Sequence, residues 1–348
     1  MHPIASLLIE NDISTIYKKF LELEKEGLVW VTYKDNFALI KYSKECQYKR
    51  YWNEYTSIAR GLILDIVNNR LIALPFPKIL NHSEVPSSVW INQQVESVQE
   101  KLDGSLGIIY HDGNDWAVAT TGSFNSEQGK VCLNLIQPIK HSFPLNHTIL
   151  VEIIYPENRI VLDYGNQTKL VYLTSYDHST FKEVDHSALF AHHPYTFPTK
   201  TNLLSVLQGL ENQNAEGFMV KFVDGTRLKF KTESYLALHR LLTDITKRKV
   251  WDLYALNGYS KTKTLEMYPN EFLKEILEYL DKFEFDFQSN LTEVLDNYDA
   301  YKQLSKTRKE FASLVSRHNS IVQSALFSMY DGKSYEGIVT QIRYGIQP

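Results

Sequence analysis

Along roughly the first 240 residues, apolar side chains alternate with polar ones in short runs separated by turn residues; beyond that they recur at helical spacing. Val29, Val31 and Tyr33, then Phe37, Leu39 and Lys41, flank a Lys34-Asp35-Asn36 turn and predict a strand pair over residues 28–42. Ala59-Arg60-Gly61-Leu62-Ile63-Leu64-Asp65 reads as a further strand closed by Asn68-Asn69. Pro75-Phe76-Pro77-Lys78 then breaks regular structure ahead of Asn81-His82. Leu106–Tyr110 and Trp116–Thr120 flank His111-Asp112-Gly113-Asn114-Asp115, a hairpin signal. Leu150–Tyr155 is a strand with Val151 and Ile153 on one face and Glu152 on the other; Pro156–Val161 is expected to turn and re-enter a strand. Glu216–Phe222 and Arg227–Lys231 pair through Asp224-Gly225, which sends Leu228 and Phe230 inward and Lys229 and Lys231 to the opposite face.

After Thr232 the period changes. Tyr235, Leu238, Leu241, Leu242 and Ile245 follow helical spacing, as do Phe272, Ile276, Leu277 and Leu280, with breaks near Asn257-Gly258 and Asp331-Gly332. The pattern predicts an α+β chain with a strand-rich domain over residues 1–240 and an all-α domain over 241–348. A length of 348 residues suits two domains.

A formal net charge of −4 excludes a uniformly basic nucleic-acid coat but leaves room for a local basic groove. Cys46 and Cys132 provide neither a disulfide framework nor a CxxC zinc site, so a reducing, cytoplasmic setting is expected. Near the N-terminus Ile4, Leu7, Leu8, Ile16, Phe20 and Leu23 are interrupted by polar residues, unlike the unbroken apolar core of a targeting segment. No apolar run is long enough to cross a bilayer, and a soluble protein without a membrane partner is expected. Nothing in the sequence sets an oligomeric state.

The stretch most suited to chemistry is Glu100-Lys101-Leu102-Asp103-Gly104-Ser105-Leu106. The Asp-Gly turn holds Lys101 at a strand end beside a backbone bend, a fit mounting for a lysine nucleophile. A lysine before a turn is by itself ordinary. Lys229 and Lys231 side by side repel each other and favour an anion between them, unless they form a simple solvated edge. Arg60 stands beside Gly61, where a ligand can come close.

Taken in order, Arg60-Gly61, Lys78, Lys101-x-Asp103-Gly104, Glu152, Glu216-Gly217 and Lys229-x-Lys231 resemble the covalent nucleotidyltransferases, specifically the T4 RNA ligase 1-like family. Lys101–Ser105 resembles the first motif of that family, Glu152 lies in a stretch like its third, Glu216–Val220 is like its fourth and Lys229–Lys231 like its fifth. Ala59–Gly61 and Phe76–Lys78 resemble its upstream elements, and Ser328–Lys333 is similar to its C-terminal end. The resemblance implies an antiparallel-sheet nucleotidyltransferase (adenylyltransferase) domain followed by the helical one.

The resemblance also implies that Lys101 attacks the α-phosphate of ATP to form a lysyl-AMP, with Lys229 and Lys231 stabilising the phosphoryl charge. Arg60, Lys78, Glu100, Asp103, Gly104, Glu152 and Glu216 are assigned to the nucleotide pocket. Glu216 would hold Mg²⁺, with Mn²⁺ as an alternative. Asp103 would orient Lys101 or a metal-bound water. Burial and the two neighbouring lysines predict a depressed pKa for Lys101. The partner implied is RNA with 5′-phosphate and 3′-hydroxyl ends, such as a tRNA nicked in its anticodon loop.

Three rival readings are an mRNA-capping guanylyltransferase and a DNA ligase, against both of which no OB-like strand-rich C-terminal region is seen (nor the zinc cysteines of an NAD-dependent ligase), and a non-catalytic RNA-binding protein on a degenerate version of the same fold. Lys302, Lys306 and Lys309, with Arg317 further on, predict one basic helix face, which either tracks RNA phosphates or is solvated beside Glu310.

Overall fold

The chain begins with two helices whose start is written locally. α1 (Ile4–Glu10) is followed by α2 (Ile13–Lys25), where Asp12 accepts a hydrogen bond from Thr15 N and caps the helix. Ile13, Ile16, Phe20 and Leu23 form the buried stripe of α2 and pack on the first sheet. The computed structural model of the protein describes residues 1–198, 202–211, 213, 215–242, 245–268 and 272–348; of Leu241 and Leu242 only the backbone is described. The chain divides into two compact units, Met1–Leu242 and Thr243–Pro348.

The first sheet is antiparallel, with β1 (Val29–Lys34), β2 (Phe37–Tyr42), β3 (Arg60–Asp65) and β4 (Arg70–Ala73) in sequence order. A short helix, α3 (Lys44–Lys49), capped by Ser43, lies between β2 and β3. After Lys78 the chain forms β5 (Leu80–Asn81), α4 (Ser87–Trp90) and β6 (Val95–Lys101). β7 (Ser105–His111), β8 (Trp116–Ala119), α5 (Glu127–Ile136), β9 (His147–Ile154), β10 (Lys169–Asp177) and β11 (Glu183–Val184) follow. The unit closes with β12 (Thr196–Phe197), α6 (Leu203–Leu210), β13 (Gly217–Phe222), β14 (Arg227–Lys231) and α7 (Glu233–Leu242).

These strands make two further five-stranded sheets, in the orders β11-β10-β9-β7-β8 and β12-β6-β13-β14-β5. All pairings are antiparallel except β14 with β5. In the third sheet Val98, Phe218, Val220, Phe222, Leu228 and Phe230 bury one face under α4 and α6. Phe230 is the centre of this core: it stacks on His82 at 4.4 Å and on Phe218 at 4.8 Å, with Trp90 edge-on at 5.2 Å. Alternation along β14 therefore places Lys229 and Lys231 on the far side of the sheet from this core.

The second unit is helical throughout its described residues: α8 (Lys247–Leu256), α9 (Lys261–Leu265), α10 (Leu273–Leu304), α11 (Arg308–Val315), α12 (Ser320–Tyr330) and α13 (Tyr335–Gly345). Thr246, Ser260, Thr307, Asn319 and Ser334 each cap one of these helices with a side-chain oxygen. The first half of α10 packs on Trp251 and Tyr254, the second half on Phe311, Val322 and Ile338. The breaks fall at Asn257 and Asp331, where the pattern expects them.

Two expectations fail, one through a contact distant in sequence and one through local capping. Residues 159–161 form no strand: after a 3₁₀ turn at Pro156–Asn158 the backbone N–H groups of Val161 and Leu162 are captured by Asp103 Oδ2, both at 2.8 Å. The basic residues from Lys302 to Arg317 do not share one helix. α10 ends at Leu304, Ser305 is extended, and Thr307 starts α11 by accepting from Glu310 N while Glu310 reaches back to Lys306 N. Lys302 donates to Tyr298 Oη, and Arg317 lies over the Tyr301 ring.

Replacing Phe230 by alanine should cost about 3–5 kcal/mol, the usual range for deleting a fully buried aromatic side chain. Thermal and urea denaturation of Phe230→Ala against wild type measures it; an unchanged urea midpoint would contradict the packing described.

Candidate active site

The register of the third sheet assembles the site. Lys101 at the end of β6 pairs with Gly217 at the start of β13, and Gly217 pairs with Lys231 at the end of β14. The two lysines thus flank a glycine in one row. That position admits only glycine: its φ is +143°, and a Cβ would lie 1.9 Å from the Phe230 carbonyl oxygen. Glu216, one residue earlier, continues the ladder through its carbonyl, which accepts from Thr232 N. Its carboxylate is buried and lies between both ammonium groups, with Oε2 2.7 Å from Lys101 Nζ and Oε1 2.9 Å from Lys231 Nζ.

Around this pair the turn after Lys101 is pinned. Besides the two backbone N–H groups it holds, Asp103 accepts from Tyr235 Oη through Oδ1 at 2.8 Å, and its own N–H donates to Tyr164 Oη at 2.9 Å. One buried carboxylate so ties the turn to the 161–164 loop and to α7. Gly104 N donates to Glu152 Oε1 at 3.0 Å, fixing the β9 carboxylate beside the nucleophile candidate. Ser105 Oγ donates to Asn158, whose amide in turn donates to the Ile153 carbonyl.

Burial pushes the Glu152 carboxyl up to about 7; Lys101 opposes this, Glu216 reinforces it, and the Gly104 N–H and Arg60 pull it back. Lys101 departs from the sequence expectation. Burial does act to lower its pKa, but Glu216, Glu152 and Asp103 outweigh that and raise it above the ordinary lysine value. The predicted depression by Lys229 and Lys231 does not arise, because Glu216 sits between Lys101 and Lys231 and neutralises both.

The remaining predicted residues are dispersed around this centre. Arg60, at the start of β3, faces Glu152 electrostatically, and its Nη1 is buried without a hydrogen-bond partner. Lys229 lies on the same face as Lys231, two residues back, opposite Met219 and beside Asn81 of β5. Lys78 is held at the first sheet: Nζ donates to Gln47 Oε1 at 2.5 Å and lies over the rings of Trp52 and Tyr42. Register turns Glu100 to the face opposite Lys101, where its carboxylate accepts from Tyr195 N at 3.5 Å.

Tyr235 and Tyr164 were not singled out by sequence. Tyr235 reads as part of an apolar helical stripe; the available signal was its hydroxyl, which needs a partner when buried.

Among the described residues no group of three or more His, Cys, Asp or Glu side chains forms a metal cage. Glu216 and Glu152 fit a divalent cation only if it takes its other ligands from water and phosphate, the usual manner of Mg²⁺. No described helix is long and apolar enough to cross a membrane.

No protein-family model matches the sequence. Among solved structures the chain is similar to Naegleria gruberi RNA ligase with PPi, at 17% identity and a TM-score of 0.38, over 47% of this chain and 57% of that one. A variant of the same ligase solved with ATP and Mn gives 16% identity and a TM-score of 0.38, over 47% and 56%. An Aquifex aeolicus protein named provisionally as an ATP-dependent DNA ligase matches over 91% of this chain and 99% of that one, at 13% identity and a TM-score of 0.47. The match thus spans a little over half the length of the Naegleria ligase.

The raised carboxyl of Glu152 makes stability depend on pH. Its neutral form is favoured in the folded state, so its contribution is complete below its unfolded value of 4.5 and is lost as pH rises through about 7. Urea midpoints of wild type should therefore fall over that window, and Glu152→Gln should flatten the fall. Parallel curves for the two proteins would contradict the placement of Glu152.

Proposed function

We propose that this protein is an ATP-dependent RNA ligase of the T4 RNA ligase 1-like kind, joining a 5′-phosphate to a 3′-hydroxyl through a lysyl-AMP. The observation that carries the reading is the row of Lys101, Gly217 and Lys231 with the Glu216 carboxylate between the two lysines. Lysine nucleophile, paired lysines and carboxylates occur there in the order of the family's motifs.

In the first step the neutral Lys101 amine attacks the ATP α-phosphorus; a P–N bond forms, the bond to the β-phosphate oxygen breaks, and pyrophosphate leaves. Lys101 must first lose the proton that Glu216 helps it hold. Lys231 and Lys229 then face the charge gathering on the phosphoryl oxygens. In the second step an oxygen of the RNA 5′-phosphate displaces Lys101 from AMP, and the amine regains a proton. In the third, a 3′-hydroxyl attacks the activated phosphate, loses its proton, and AMP leaves. One pocket serves all three displacements by positioning and charge neutralisation.

Glu152 and Arg60 serve the ribose or the RNA 5′-phosphate, and Asp103 fixes the turn that carries Lys101. Glu216, with the nucleotide's phosphates, would hold Mg²⁺ or Mn²⁺, which supplies charge neutralisation. A tRNA broken in its anticodon loop is the substrate class that the family resemblance suggests, in a cytoplasmic RNA-repair role.

The protein, incubated separately with ATP and GTP labelled in the α-phosphate, should become labelled by ATP alone. Lys101→Ala should carry no label, and Lys231→Ala should label about a hundredfold more slowly, the scale of losing one oxyanion donor. Labelling by GTP would instead favour the capping-type reading, and no labelling the non-catalytic one. Since only the neutral amine attacks and the site carboxylates retain its proton, the second-order rate of labelling should rise with pH across the neutral range. A flat profile would contradict Lys101 as the nucleophile.

A further inference from the structure

The first sheet carries a row of side chains of which the site above uses only one end. Register sets Trp30 of β1 opposite Lys41 of β2, and Lys41 opposite Arg60 of β3. Residues directly opposite in such a ladder share a face, with Cβ atoms about 4.5–5.5 Å apart. The last step is irregular, because Gly61 is an extra residue in the register. Its φ is +96°, and a Cβ there would lie 2.6 Å from Ile108 Cδ1 and 3.0 Å from Thr121 Cα, so only glycine allows this bulge. Bulges re-aim the side chains beside them. Here Arg60 faces Glu152, whose ionisation it favours.

The row is charged and unpaired. Among the described residues neither Lys41 nor Arg60 has a carboxylate at ion-pair distance, whereas Lys101 and Lys231 share Glu216. Arg60 Nη1 is buried with no hydrogen-bond partner. Lys41 Nζ lies against the turn that follows β8, 3.3 Å from the point where Gly122 would carry a Cβ. Two cations directly opposite in a ladder repel, and an anion removes that repulsion. At the outer end Trp30 is 43% exposed on an edge strand, while Trp90, Trp116 and Trp251 are buried.

Cations beside an open aromatic face suit single-stranded nucleic acid, whose phosphates meet the cations while a base stacks on the ring. We infer that Trp30, Lys41 and Arg60 form a docking track for a single-stranded RNA end, with a base on Trp30, a backbone phosphate on Lys41 and the terminal phosphate led by Arg60 toward Glu152. The inference rests on the ligase reading and adds to it where one strand enters. The phosphate chemistry is shared with the tail of a nucleoside triphosphate, and the experiment separates the two.

The test titrates a short 5′-phosphorylated single-stranded RNA against full-length wild type, Trp30→Ala, Trp30→Phe and Lys41→Ala, following tryptophan fluorescence and, for all four, anisotropy of labelled RNA. Lysyl-AMP formation from ATP without RNA is measured in parallel, and thermal melting checks that each variant is folded. Bound RNA should quench wild-type fluorescence. Trp30→Ala should weaken binding about tenfold, with Trp30→Phe close to wild type. Lys41→Ala should weaken binding and flatten the log–log salt dependence by about 0.7. Lysyl-AMP yield should be unchanged in these variants. Wild-type affinity and salt slope in both Trp30→Ala and Lys41→Ala would overturn the track while leaving the ligase reading intact. Slowed lysyl-AMP formation in Lys41→Ala with unchanged RNA affinity would assign the row to the nucleotide's phosphates and also overturn it. Failure of wild type to form lysyl-AMP would count against the ligase reading, and the RNA-binding comparison would still decide the track.

Discussion

The Glu216 carboxylate, almost wholly removed from solvent, lies between two ammonium groups contributed by different strands. A buried charge of this kind persists only while it is paired; removing one partner typically costs about 3–5 kcal/mol. The arrangement therefore constrains three strands at once: β6 and β14 must end level with each other, and β13 must begin where they end. Gly217 is the residue that lets them meet so closely, and the aromatic core on the reverse of the sheet keeps the register from drifting.

The same interaction sets the resting character of the site. With Glu216 in place, Lys101 is a stabilised cation and not a free nucleophile. Lysine chemistry here would have to be switched on by whatever draws Glu216 away or brings opposite charge, which links reactivity to occupancy. Asp103 supplies the rigid counterpart: it takes hydrogen bonds from a loop and from α7, so the turn bearing Lys101 has little freedom to follow its side chain.

Much of this was legible in the sequence because it depends on short periods. The hairpins around residues 35 and 113, the Glu152 strand and the alternation that separates Phe230 from Lys229 and Lys231 all follow from period-two patterning. What escaped depends for the most part on partners distant in sequence. Asp103 overrides the strand-like Arg159-Ile160-Val161 by capturing two backbone N–H groups more than fifty residues away. The expected basic helix is broken locally, at Ser305 and Thr307, where an extended residue and a capping hydroxyl end one helix and start the next within the regular spacing of lysines. The sign of the Lys101 shift could not be read from charge order, since Glu216 comes between the lysines only when three strands are aligned.

The alternation along β14 has a consequence for how this chain can vary in length. Phe230 and Lys231 are neighbours with opposite destinations, one in the aromatic stack and the other on Glu216. A single residue gained or lost within the hairpin joining β13 to β14 would exchange them, driving a lysine into the core and a phenylalanine onto the carboxylate. A length change at the exposed Asp224-Gly225 turn is therefore tolerable only where the loop absorbs it without shifting β14 against β13. The β7–β8 hairpin is bound by the same rule through its own core, since a one-residue slip there would turn Trp116 and Val118 away from the buried face they fill.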